Sequence, residues 1–146
     1  LADAYFSKQP TADKDVAAVV APCNGYVKAL VIAVVTAGAA GSSTDLKEEY
    51  WVKNGGLAGA GTVQLTKKIA ATDLTQTPDY LPAAGTKLVG VAVEPAPKVL
   101  MGDTLFVTFD TSGTIGTATR PVVKLIGIVM VADGNIDPAS PFNRRL

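Results

Sequence analysis

The chain has 146 residues, with 13 basic and 13 acidic side chains and no net charge; this length fits one domain with one core. Neutrality excludes a global field that would draw nucleic acid or an anionic membrane, so partners are to be sought by shape. Hydrophobic residues make up 48% of the chain against 18% charged, with a mean hydropathy of +0.29, a balance that suits apolar surface hidden in an assembly.

Residues 1–15 are polar, of mixed charge and broken by Pro10, and read as an N-terminal arm. Tyr5 and Phe6 are two adjacent aromatics on that arm; they either dock on a neighbouring subunit or pack back on their own domain. Val16 to Val20 is a short apolar run stopped by Pro22, which predicts an edge strand. The stretch Ala21 to Val35, APCNGYVKALVIAVV, then predicts a long strand entered through Pro22 and Asn24-Gly25. Its second half is apolar on both faces, so cover on both sides is expected there.

After a small-residue loop, Asp45-Leu46-Lys47-Glu48 has the spacing of a helix capping box, consistent with a one-turn helix. Glu49 to Val52 reads equally as a strand. Residues 54–61 form a glycine-rich linker, and Thr62 to Ala70 alternates as a half-exposed strand, with Val63, Leu65, Lys67 and Ile69 on one side. Lys87 to Glu94 is a further strand closed by Pro95 and Pro97; the Gly102-Asp103 turn opens another over Thr104 to Phe109. Pro121 to Ala132 is the last strand, again apolar on both faces, and 133–146 read as a C-terminal tail holding Pro138, Pro141 and Phe142.

Seven or eight short strands with almost no helical periodicity predict an all-β fold, an antiparallel β-sandwich over 16–132 of jelly-roll-like kind, with the first long strand and the last side by side. The longest unbroken apolar run, Ala29 to Val35, is far short of the ~20 residues of a membrane span, and the N-terminus lacks the pattern of a signal peptide.

Catalytic chemistry finds little support. There is no His, which removes Ser-His-Asp and Cys-His nucleophile systems and His-based metal sites. The single Cys23 leaves no internal disulfide and reads as a small buried hydrophobe. Carboxylates fall in turns and at strand ends, where solvated or capping roles are ordinary. Asp133-Gly134-Asn135-Ile136-Asp137 starts like a calcium loop, but Pro138 stands where its glycine belongs and Arg144 where its bidentate Glu belongs. No cofactor is expected, and basic residues are too scattered for specific nucleic-acid binding. Tyr50 and Trp51 read as one core and one interface aromatic, or as a sugar-binding platform.

The Ala21-Pro22-x-x-Gly25 entry to a long apolar strand, the Gly102-Asp103 turn before an alternating strand and the final apolar strand give a layout over Val16 to Ala132. That layout resembles the small β-sandwich head proteins of tailed bacteriophages, the decoration or cement class. The resemblance implies a non-catalytic virion protein on the capsid surface, commonly a trimer, bound across neighbouring copies of the major capsid protein. It also implies that the arm or the tail reaches a neighbour; it carries over no residues, and the interface candidates Tyr5, Phe6, Tyr50, Trp51 and Phe142 are read from the aromatics of this chain itself. A carbohydrate-binding module and a phage tail or baseplate domain are the rival readings.

Overall fold

The computed structural model describes residues 4–5, 14–76 and 80–133. The chain is an all-β, antiparallel sandwich with no helix among the described residues. Nine strands form: β1 (Ala4–Tyr5), β2 (Lys14–Val20), β3 (Gly25–Thr36), β4 (Thr44–Asn54), β5 (Val63–Gln64), β6 (Ile69–Asp73), β7 (Lys87–Val91), β8 (Thr104–Thr114) and β9 (Val122–Ala132). One sheet runs β1-β9-β3-β7, and the other β2-β8-β4 with β5 and β6 both beside β4. Except for the β4-β5-β6 run, successive strands alternate between the sheets. This is the jelly-roll wrap, and it places early β3 against late β9, as expected.

The inner faces meet in one core. Leu30, Ile32, Val34, Val123 and Leu125 from the first sheet pack against Tyr50, Val52, Leu105, Val107 and Phe109 from the second, all buried. The Tyr50 and Phe109 rings lie 5.1 Å apart at 56°, a tilted aromatic pair at the centre. The two turn motifs of the sequence meet at one end. Ala21 N–H donates to the Asp103 carbonyl at 2.8 Å and Gly102 N–H to the Ala21 carbonyl at 2.9 Å, while Asp103 Oδ2 accepts from Asn54 Nδ2 at 2.8 Å. Gly25 is demanded by this packing, because a Cβ there would lie 2.1 Å from the Val131 carbonyl oxygen.

Three local expectations change. The segment 45–48 is not a helical turn; it lies within β4, which pairs with β8 on one side and β6 on the other. Two flanking ladders outweigh a capping box that has no helix to cap. The strand expected over 62–70 is broken after Gln64: Leu65 N–H still donates to Val52 O, but Lys67 N–H donates to Val91 O on β7 in the other sheet. Changing neighbours breaks the period of two, so Val63 is exposed and Thr66 buried. The expected arm also contributes a strand, since Ala4 and Tyr5 pair with Leu125 and Lys124, and β2 begins at Lys14.

Candidate functional site: the outer faces of the two sheets

Residues directly opposite on neighbouring strands share a face, so the register defines what each sheet shows to solvent. On β7-β3-β9 the outward rows are Val91–Ala29–Val129, Val89–Val31–Gly127 and Lys87–Ala33–Lys124, with Tyr26–Val131 beyond the first. Val89, Val91, Val129 and Val131 are 56%, 53%, 48% and 46% exposed. Both-sided cover was the expectation for β3 and β9. Among the described residues the outer side is open along β7 and the end of β9, whereas on the second half of β3 the outward Val31 is half-buried and Ala33 is buried, 7% exposed. The charged side chains on the strands of this sheet are lysines, and the Lys98–Asp133 ion pair follows at the Tyr26 end. The strands of this sheet carry Lys28, Lys87 and Lys124 and no carboxylate, with Lys28 exposed at a bulge near the Tyr26 end and Lys87 exposed at the other.

The outer face of the second sheet is different in kind. Its strands hold Lys14, Lys47 and Lys53 against Asp15, Asp45, Glu48, Glu49, Asp73 and Asp110, but Glu48 and Asp73 are fully buried, and Lys68 and Arg120 from the connecting segments pair with Asp110 and Glu48. The exposed groups largely satisfy one another. Lys53 Nζ lies 2.9 Å from Asp15 Oδ1, Lys68 Nζ 2.6 Å from Asp110 Oδ2, and Lys47 Nζ 2.9 Å from Glu49 Oε1. These partners raise the Lys47 and Lys68 ammonium groups above their ordinary value, through the hydrogen bond to Glu49 and to Asp110 respectively. Lys14, Asp15, Trp51, Lys53, Lys68, Thr108 and Asp110 line a shallow depression of about 590 Å³.

Trp51 lies on this face in the row Asp15–Thr108–Trp51, with Lys68 Nζ 4.3 Å from its ring centre. A stacking face for a sugar is thereby occupied by a cation. Tyr50, the neighbouring interface candidate, points inward and is fully buried in the core, so it offers nothing to a surface partner: alternation in β4 sends the two aromatics to opposite sides. The Tyr5 backbone is placed opposite Lys124, and Phe6 and Phe142 lie outside the described residues. Among the candidates whose side chains are described, Tyr50 and Trp51 therefore lie on opposite faces of the second sheet.

Two further features lie between the sheets. Val19, Val20, Pro22, Leu105, Ile128 and Met130 line an apolar cleft of about 300 Å³ between β2 and β9. Near the β8–β9 connection, Arg120 Nη1 donates to Glu48 Oε1 at 2.5 Å, and Glu48 has no solvent exposure. Burial pushes the Glu48 carboxyl above its ordinary value, with Arg120 opposing the shift. Among the described residues, no group of three or more His, Cys, Asp or Glu side chains is arranged to hold a metal ion. No helix there is long and apolar enough to cross a membrane.

The surface residues that sequence reasoning missed are Val89, Val91, Val129, Val131, Lys28 and Lys87. For Val129 and Val131 the signal is present, as a last strand apolar on both faces; the reading of Lys87 to Glu94 as a strand assigns no side that faces out. The class defined by the fold is an antiparallel jelly-roll sandwich with one apolar, basic outer face. No protein-family profile, no curated protein and no solved structure matches the chain.

Proposed function

We propose that this protein is a structural virion component, a decoration (cement) subunit that binds the outer surface of a bacteriophage capsid. On this reading it stabilises the shell through contacts to the major capsid protein and to its own copies, as a trimer. The observation that carries the proposal is the open β7-β3-β9 face, where four valines about half exposed stand in adjacent rows. Contiguous apolar surface on a soluble domain marks an interaction site. The layout resemblance supplies the kind of partner, and binding by a sheet face needs no reactive group.

Electron microscopy of particles produced with and without the gene tests this. The expected result is loss of density from the outside of the head; loss from the tail or baseplate instead would assign the domain there, and unchanged particles without the protein would overturn both. Sedimentation in solution is expected to return three times the chain mass of 15.0 kDa. The carbohydrate reading is disfavoured by Lys68 over Trp51, and Trp51 fluorescence is expected to stay constant on addition of sugars.

A further inference from the structure

We infer that the outer face of β7-β3-β9 docks on a protein surface that has an apolar centre ringed by carboxylates. The inference rests on the function proposed above, which makes that surface the capsid lattice. The apolar strip has exposed lysines at both ends, Lys87 at one and Lys28 at the other, and no carboxylate lies on any strand of this sheet. A complementary surface therefore supplies negative charge around an apolar middle.

A second copy fits poorly in either orientation. Face against the same face brings lysine towards lysine with no acid between them, and like charges at an interface oppose association. Face against the second sheet of another copy meets carboxylates already paired with Lys53, Lys68 and Lys47, and brings lysine towards those lysines too. Those two faces are also on opposite sides of the sandwich, so such stacking repeats into an open filament and does not close.

Size points the same way. Three strands about 4.8 Å apart, followed for seven residues at about 3.3 Å each, give a strip of roughly 300 Å². Stable pairs bury about 800 Å² per partner, so the strip is the centre of a larger contact whose rim is the lysines. An anionic bilayer is the weaker match: valines lying flat on a sheet, with the half-buried Tyr26 as the one aromatic in the outward rows named above, have little reach into an interface that apolar faces enter by about 5–10 Å.

The test measures binding to empty shells assembled from the major capsid protein alone. Four proteins are compared: wild type, Val89→Asp/Val91→Asp, Lys28→Glu/Lys87→Glu, and Lys14→Glu on the other sheet, each checked for folding by circular dichroism. Expected are at least tenfold weaker binding for both variants of the first sheet, binding within twofold of wild type for Lys14→Glu, and wild-type affinity that falls as salt rises. The lysine pair leaves the valine strip intact and keeps the test decisive should the valine pair fail to fold. Wild-type binding together with unchanged binding by both variants overturns the inference and leaves the proposed function standing; wild type that does not bind the shells overturns both. A drop in solution mass in the valine variant would assign the face to a second copy. Sedimentation of wild type with phosphatidylserine vesicles, lost in the same variants, would assign it to a membrane. Either result overturns the inference.

Discussion

The two sheets are built by the same alternation and bury similar inner faces, yet their outer faces have opposite chemistry. Outside β2-β8-β4, carboxylates and lysines pair within the chain, and Trp51 lies under a lysine. Outside β7-β3-β9, valines stand half exposed between lysines that have no acid on their own sheet. Charges satisfied in cis leave little for a partner, whereas half-exposed apolar rows gain by being covered. Net neutrality thus conceals an uneven distribution: the strands of the first sheet carry three lysines and no carboxylate, whereas those of the second carry both signs, paired with one another and with Lys68 and Arg120.

Five substitutions break or sharpen this contrast, taken from the largest effect to the smallest. If stability resides between the sheets, Phe109→Ala, which removes the ring packed on Tyr50, is expected to cost about 3–5 kcal/mol in urea denaturation. Next comes the pair linking the layers. Arg120→Ala leaves the Glu48 carboxylate buried without this counter-charge and is expected to cost about 3 kcal/mol at neutral pH.

The same pair gives a pH signature. Because the folded Glu48 carboxyl is raised above 4.5, the folded chain holds a proton that the unfolded chain has already lost between 4.5 and the raised value. Stability contributed by this group therefore falls as pH rises through that window. Denaturation midpoints measured across acid pH are expected to show this slope in wild type, steeper in Arg120→Ala and absent in Glu48→Gln.

On the outer faces the effects are small. Asp110→Asn removes the Lys68 ion pair, whose side chains are 37% and 29% exposed, and is expected to cost about 0.5 kcal/mol, less in high salt. Val91→Thr, on the open face, is expected to stay within about 0.5 kcal/mol by thermal melting. A cost near that of Phe109→Ala would mean that the valine face is packed in the isolated protein, and the contrast between the faces would fail.

Much of the architecture was legible in the residues. β-Branched strands, Gly/Pro/Thr loops and the absence of helical periodicity pointed to an antiparallel sandwich, and the doubly apolar Ala21–Val35 and Pro121–Ala132 pointed to neighbouring central strands. The interruption after Gln64 was not legible, because Leu65 to Lys68 is held by partners from both sheets that are distant in sequence. Tyr50 and Trp51 were flagged together, and alternation separated them into core and surface. The open valine face was misread, because a strand apolar on both sides looks alike whether or not a third layer covers it.

By itself, the sequence determined the local preferences: which segments extend, where Gly25 and Gly102 turn the chain, and that no histidine chemistry is available. These follow from backbone sterics and side-chain type, which need no neighbours. Only the tertiary structure decided which apolar residues are core and which are surface, how the charges divide between the layers, and that Arg120 meets Glu48. Those outcomes depend on strand order and register, which join residues as far apart as Ala29, Val91 and Val129 into one row.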